Sequence, residues 1–315
     1  MNTESISRTP IHRLRDDTIK NLYVKREDMI PYSFGGNKAR KAFGFFKQID
    51  SGDYDYVVTY GSSHSNHCRV IANMAADRKL PCLIIGPDEV SDRTYNSVMM
   101  ETFGARIMTV PVSEVHDTIE KTLEDLKAEG HRPYFIMGGG HGNIGTQAYV
   151  DCYNEIKAYE EETDIRFDYI FFASGTGTTQ AGLVCGQILS GDDRGIVGIS
   201  IARKNPGGRN VVIQSVCDYL YQREISFDRG DVNQKTLFID DYTGEGYGEG
   251  NDEILNTIRE ELILNGMPLD STYTAKAFLG MKKYVTEHRL EDKKILFIHT
   301  GGTPLFFDDL SKLGR

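Results

Sequence analysis

Cysteine is sparse in this chain of 315 residues, and what there is does not pair. Cys68, Cys82, Cys152, Cys185 and Cys217 are odd in number, far apart and free of any C-x-x-C spacing. That argues against a disulfide framework or a zinc ribbon and makes a reducing cytosol the expected compartment. Long apolar runs are missing as well. Stretches such as 82–85 and 295–298 fall far short of the ~20 residues a membrane helix needs. The opening residues contain no apolar h-region, so no secretory signal is expected. Nor is there a basic excess: 36 Lys plus Arg stand against 46 Asp plus Glu, a formal charge of −10. A general nucleic-acid binder needs the opposite balance to displace counterions, although a local basic site for an anion stays open. Charge blocks, low-complexity tracts and repeats are also lacking. A cytoplasmic globular protein is expected, long enough for one large domain or two coupled ones.

What the chain does have is alternation. Short β-rich runs at 56–60, 82–85, 107–110, 134–136, 169–172, 196–201 and 295–299 alternate with helical patterns. Val115, Ile119, Leu123 and Leu126 mark one helix, with Ser113 as its expected N-cap and Gly130 as its stop. Alternating strands and helices need crossover connections, which implies parallel sheets covered by helices on both faces. About four such units lie between 55 and 150 and more follow 165, so two sheets are expected. The polar stretch 160–166 is either a loop between the halves or an exposed connection.

Three strand-to-helix or loop-to-helix segments can carry chemistry. In Ser33-Phe-Gly-Gly-Asn-Lys38-Ala-Arg-Lys41, the glycines allow a tight turn and a close approach, and Asn37 can cap the helix that follows. Lys38 then falls in the first turn, where the helix dipole and burial both favour a neutral amine able to form a Schiff base. The plainer alternative is a solvated lysine beside Arg40 and Lys41. In Ala173-Ser-Gly-Thr-Gly-Thr-Thr-Gln180, Gly175 and Gly177 supply backbone N–H groups, and Thr176, Thr178 and Thr179 supply hydroxyls. This cup suits a phosphate monoester at a helix start; Gln180 breaks the dinucleotide fingerprint, and a plain crossover turn is the alternative. In Tyr60-Gly-Ser-Ser-His64-Ser65-Asn66-His67-Cys68-Arg69, free N–H groups can hold a carboxylate. His64, His67 and Cys68 lack a further ligand at metal spacing, so no metal is expected, and simple capping by Ser65 is the alternative. Weaker signals are the glycine stretch around His141, Tyr247 in Glu245-Gly-Tyr-Gly-Glu-Gly250, and Thr300-Gly301 at a strand's carboxyl end.

In their order, these segments resemble the pyridoxal 5'-phosphate (PLP) enzymes of the tryptophan synthase β-like fold type II, above all D-cysteine desulfhydrase and ACC deaminase. The resemblance rests also on Thr9-Pro-Ile-His-Arg-Leu14, Val24-Lys-Arg-Glu-Asp28, Asp240-Asp-Tyr242, Leu269-Asp-Ser-Thr-Tyr-Thr-Ala-Lys276 and Phe297-Ile-His-Thr-Gly-Gly302, and spans about Thr9 to Phe306. It implies an α/β fold of two parallel-sheet, three-layer αβα domains. A small domain at 42–148 would be inserted in a large PLP-binding domain made of 1–41 and 149–315. It implies Lys38 as the Schiff-base lysine that moves the substrate's α-proton, and Asn66 as partner of the cofactor's phenolic oxygen. Gly175, Thr176, Gly177, Thr178 and Thr179 would form the phosphate cup. Ser65, Asn66 and His67 would bind the substrate carboxylate, with His64, His141, Thr300 and Gly301 lining the substrate pocket. Ser65, Tyr247 and Tyr273 are the further catalytic candidates.

Thr274 stands where ACC deaminases carry glutamate beside the pyridine nitrogen and desulfhydrase-like sequences carry threonine. A hydroxyl there is expected to donate to an unprotonated nitrogen, which favours prompt loss of a β-leaving group. The expected activity is therefore a lyase working by α-proton removal and β-elimination, giving a 2-oxo acid and ammonia from a small amino acid. The alternatives are a β-replacement synthase, an ACC deaminase, a non-catalytic PLP-binding module and, more distantly, a nucleotide-dependent oxidoreductase. Family likeness also implies a homodimer. His64 and His141 depart from the family pattern, which points to a polar or anionic β-substituent on the substrate.

Overall fold

The structure is a computed structural model that describes residues 8–88, 93–243 and 251–313. Two short strands, β1 (Ile11–Arg13) and β2 (Asn21–Arg26), lead into helix α1 (Asn37–Ser51). Next come β3 (Tyr56–Tyr60), α2 (Asn66–Asp77), β4 (Cys82–Pro87), α3 (Tyr95–Thr102), β5 (Arg106–Val110), α4 (Val115–Ala128), β6 (Pro133–Ile136) and α5 (Asn143–Thr163). The second half runs β7 (Tyr169–Ser174), α6 (Thr178–Leu189), β8 (Gly195–Ser200), α7 (Gly207–Gln222), α8 (Arg229–Lys235) and β9 (Leu237–Ile239). It ends with α9 (Asp252–Asn265), α10 (Thr274–Glu287), β10 (Lys294–His299) and α11 (Thr303–Leu313).

These strands form two sheets. Six of them lie in the order β1-β2-β10-β7-β8-β9, parallel except for β1, and four lie in the order β5-β4-β3-β6, all parallel. The central strands read as continuous apolar runs because both faces are covered. On β7, Ile170 and Phe172 pack under α5, α6 and α7, while Phe171 and Ala173 face α9 and α10 on the other side. Each fully buried Phe contributes about 1.5–3 kcal/mol against an exposed one. The smaller sheet repeats the plan: Val57 and Ile84 face α1 and α2, and Val58, Leu83 and Ile85 face α4. Among the described residues no helix is long and apolar enough to cross a membrane.

Some local expectations change. Ser113 lies in a 3-10 turn, Val112–Glu114, whose own i→i+3 bonding displaces it from the cap of α4; Gly130, with φ of 93°, follows the helix end as expected. Gly36, not Asn37, caps α1, because its φ of 90° is open to glycine alone at low cost. The stretch 160–166 is the end of α5 and its connection to β7, where Glu160 is buried against Arg194 at 2.6 Å. The expected divisions after 41 and after 148 fall inside α1 and α5, two helices that pack together.

Candidate active site

In open parallel sheets ligands sit beyond the carboxyl ends of the strands. Here the two sheets point those ends at one cavity of about 690 Å³. The four-stranded sheet contributes Tyr60–Ser62 and Ser65 after β3, Pro87 on β4, and Met137 through Gly139 with His141 after β6; the six-stranded sheet contributes Gly175 and Thr176 after β7, Ile201 to Arg203 after β8, and Thr300 with Gly301 after β10.

Lys38, in the first turn of α1, lines this cavity, and its Nζ donates to the carbonyl of Gly139 at 3.2 Å. Its side chain keeps a partly accessible face, yet surrounding atoms enclose the ammonium and burial pushes it down to about 8. The turn before it is fixed by a close crossing of two loops. The Asn37 N–H donates to Thr300 O at 2.9 Å, and a Cβ on Gly36 would stand 2.8 Å from that same oxygen. The room at Gly36 is thus taken by the Thr300-Gly301 backbone rather than by a flat ligand. Arg40 and Lys41, the neighbours of the solvated alternative, are both buried.

Ser65 caps α2 by accepting from the Cys68 N–H at 3.1 Å, which leaves the N–H groups of Asn66 and His67 facing the cavity end of the helix. His67 has a fixed role. Thr59 donates its hydroxyl to Ile136 O at 2.7 Å, so at 2.9 Å it can only accept from His67 Nε2. Burial, with Lys38 and Lys41 nearby, holds His67 well below the usual imidazole range, so it is neutral with a bare Nδ1. Cys68 is buried and its thiol is pushed up to about 12, so it is inert. His64 lies outside the cavity lining, beside Ser63 and in the field of Asp308.

Opposite Lys38, α6 begins at Thr178 behind a left-handed Gly177 with φ of 92°. Gly175 and Thr176 reach the cavity itself, while Gly177, Thr178 and Thr179 form the layer behind them. Thr178 Oγ1 meets His141 Nδ1 at 3.0 Å, and Thr179 Oγ1 accepts from Asn37 Nδ2 at 3.1 Å. Tyr273, the residue before α10, lines the cavity. Thr274 is buried below it and does not face outward as a free donor. Its hydroxyl donates to Asp270 Oδ2 at 2.7 Å and accepts from the Asp270 N–H at 2.8 Å. Burial pushes Asp270 up to about 7, so its neutral and ionised forms are both populated at neutral pH. While Asp270 is ionised, its carboxylate takes the Thr274 hydroxyl hydrogen. Tyr247 lies outside the described residues.

The whole chain can be placed among known proteins. The family model of pyridoxal-phosphate dependent enzymes matches residues 3–301. The chain belongs to that family. It is 32% identical to D-cysteine desulfhydrase of Yersinia enterocolitica over 309 residues, covering 94% of this chain and 91% of the relative. It is also 32% identical to D-cysteine desulfhydrase of Serratia proteamaculans over 314 residues, covering 96% and 93%. The crystal structure of an ACC deaminase homologue superposes with a TM-score of 0.86 at 29% identity, covering 97% of this chain and 92% of that one. A hydrogen sulfide-producing enzyme of Fusobacterium nucleatum, at 18% identity and a TM-score of 0.63 over 96% and 97% of the two chains, shares the fold.

The residues present fit pyridoxal phosphate. An amine for the aldehyde and a helix N-terminus with free N–H groups border the same cavity. Lys41, one helical turn after Lys38, completes the match. It is fully buried, its Nζ has no hydrogen-bond partner among the described residues, and burial together with Lys38 pushes it well below the usual amine range. It lies against Gly140 and in the field of His141, which is itself bonded to Thr178. A buried amine without a hydrogen-bond partner, next to a cup of donors, is a group that a phosphate completes, since the anion favours its protonated form. Lys41, Arg69, Arg203 and Asp270 were not singled out from the sequence. The i, i+3 spacing of Lys41 from Lys38 was the only available signal, since it sets both on one side of α1.

Proposed function

We propose that this chain is a PLP-dependent lyase for a small amino acid, removing the α-proton and expelling the β-substituent to leave a 2-oxo acid and ammonia. The observation that carries this is Lys38, an enclosed amine held near 8 at the meeting point of both sheets. The bound cofactor supplies an electron sink beside the substrate's α-carbon. Lys38 would hold it and would serve as the base that takes the α-proton. An amine with a value near 8 can both take and return a proton close to neutral pH. Ser65 and the first N–H groups of α2 bind the substrate carboxylate, aided by the helix dipole. The neutral His67 side chain adds no charge there. Gly175, Thr176 and the start of α6, with Lys41, hold the phosphate. Tyr273, on the cavity wall, would protonate the departing group, with Tyr247 as the second candidate. Thr300 and Gly301 close one wall. His141, held below the usual imidazole range by burial and by Lys41 and Arg203, borders the space for the β-substituent.

D-Cysteine is the first substrate to test, since that is the substrate named for relatives 32% identical over most of both chains. We also carry forward, as proposals, a movement of the two sheets about α1 and α5 as separate domains, a homodimer and a cytoplasmic location.

The test combines release of 2-oxo acid and ammonia with the visible absorption of the purified protein. D-cysteine, D-cysteate, chloro-D-alanine and D-serine are compared with their L-forms. Lys38→Ala is expected to abolish the lysine-bound absorption and to lower turnover by a thousandfold or so. Retained turnover in that variant refutes the assignment. Ammonia release that vanishes when a second nucleophile is saturating would instead mark a β-replacement synthase.

A further inference from the structure

Arg69, in α2, is completely buried and has no carboxylate beside it among the described residues. Its Nη1 donates to Asn66 Oδ1 at 2.5 Å and to Asn96 Oδ1 at 2.8 Å, its Nη2 donates to Ser33 O at 2.9 Å, and its Nε is unpartnered. Asn96 Nδ2 donates in turn to the same Asn66 Oδ1 at 3.1 Å and to His64 O at 3.0 Å. Asn66 Oδ1 thus receives two hydrogen bonds, one from a cation. The reversed carboxamide would press an NH2 group against the guanidinium, so its orientation is fixed by chemistry. The Asn66 NH2 is left without a bond among the described residues, on the wall of the cavity that holds Lys38. Burial pushes the guanidinium down to about 9, which still leaves it charged at neutral pH.

A buried cation normally has a counter-ion, because removing it from water is costly. Here the positive charge instead reaches the cavity through one amide. A carbonyl oxygen bonded to a cation withdraws electrons from its own NH2 and makes that group a stronger donor. We propose that Arg69 is a positioning residue that locks Asn66 with its NH2 toward the cavity and strengthens it as the donor to the anionic ring oxygen of PLP. That oxygen is attached next to the ring carbon bearing the carbon that Lys38 holds, so a donor flanking Lys38 can reach it. The inference rests on PLP being held on Lys38 and is independent of the elimination assigned above.

The test uses binding to the apoprotein and needs no turnover. Affinities for PLP and for its 3-deoxy analogue, which lacks the ring oxygen, are measured by calorimetry for the wild type, Arg69→Met, Asn66→Ala and the double variant. Arg69→Met and Asn66→Ala are each expected to weaken PLP about tenfold, in keeping with a charge-assisted bond, and to leave the analogue unchanged. The double variant is expected to lose no more than either single one. Equal losses for PLP and the analogue in Arg69→Met would make the role merely structural and overturn the proposal. Additive losses would overturn it too. Should Arg69→Met fail to fold, Asn96→Ala removes one of the two donors to Asn66 and keeps the cation. It must show a smaller loss of the same selectivity, and an unselective loss there counts against the proposal equally. A Lys38→Ala control that binds PLP as the wild type does would locate the failure in the cofactor's attachment instead.

Discussion

The buried cations behind the six-stranded sheet and those around the cavity are enclosed to a similar degree and treated in opposite ways. Behind the sheet Arg40, Lys25 and Arg194 are each answered by carboxylates. Arg40 reaches Glu27 at 2.5 Å and Glu155 at 2.7 Å, Lys25 reaches Glu155 at 2.6 Å, and Arg194 lies 2.6 Å from both Glu160 and Asp192. These groups join β2, α1 and α5, and the end of α5 to the turn before β8, so the charges act as cross-links. Around the cavity Lys38, Lys41 and Arg69 have no carboxylate in contact among the described residues. The two regions differ in what stands opposite the basic group. In one region it is a carboxylate of the protein; in the other, on the function proposed above, it is the bound cofactor and substrate. Local rules of charge pairing are broken where function requires it.

The sharpest way to break the contrast is to unpair the paired side. Burial alone would raise Glu27, but the charge of Arg40, its hydrogen bonds, Lys25 and the Thr9 hydroxyl outweigh it and hold the carboxyl at about 2. Its folded-state value is below the unfolded one, so its contribution is complete above about pH 4.5 and is lost as pH falls toward 2. That contribution is on the order of 3 kcal/mol. Glu27→Gln is expected to cost about that much at neutral pH and to flatten the acid limb of the stability curve. Chemical denaturation at a series of pH values measures both. A variant as stable as the wild type at pH 7 would mean that the cross-link contributes nothing.

The same division decides how much was legible in the sequence. The parallel sheets could be read because alternating apolar runs have few other solutions, and 56–60, 82–85 and 295–299 became strands. Lys38, Ser65 and Gly175 could be read because glycine, capping residues and a strand-to-helix turn specify local geometry. The edge strands β1 and β9, of three residues each, carry too little pattern to register. Lys41 entered only as a neighbour in the solvated reading of Lys38 and Arg69 was given no role, and only the packing of α1 and α2 against other elements shows both to be buried. Thr274 was expected as a donor, but its hydrogen goes to Asp270 four residues earlier. Hydroxyl direction depends on a partner's protonation state, and residue type alone does not specify it.

Filling the unpaired side should have the opposite sign. Lys41→Met removes a buried amine that has no hydrogen-bond partner among the described residues and only the Tyr149 ring face 5.8 Å away, so the apoprotein is expected to be as stable as the wild type or more so. Its affinity for PLP is expected to fall about 10- to 100-fold, the value of a charge-assisted bond to phosphate. Thermal denaturation with and without PLP reads both. An apoprotein destabilised like Glu27→Gln, with PLP affinity intact, would place Lys41 among the structural cations and erase the distinction.

The smallest expected effect concerns an ion pair whose geometry matches the buried ones. Lys20 Nζ lies 2.7 Å from Asp292 Oδ1, the same separation as Arg40 from Glu155, but the two side chains are 72% and 83% exposed. The lysine value is raised and the carboxylate value is lowered by their mutual hydrogen bond, yet water and salt screen the charge and the side chains lose freedom to meet. Lys20→Ala is expected to leave the denaturation midpoint unchanged at both low and high ionic strength. If it moved the midpoint as far as Glu27→Gln, proximity alone would explain the networks. Burial would then have no part in separating the two groups of basic residues, and the unpaired ones at the cavity would no longer mark a site for an anionic ligand.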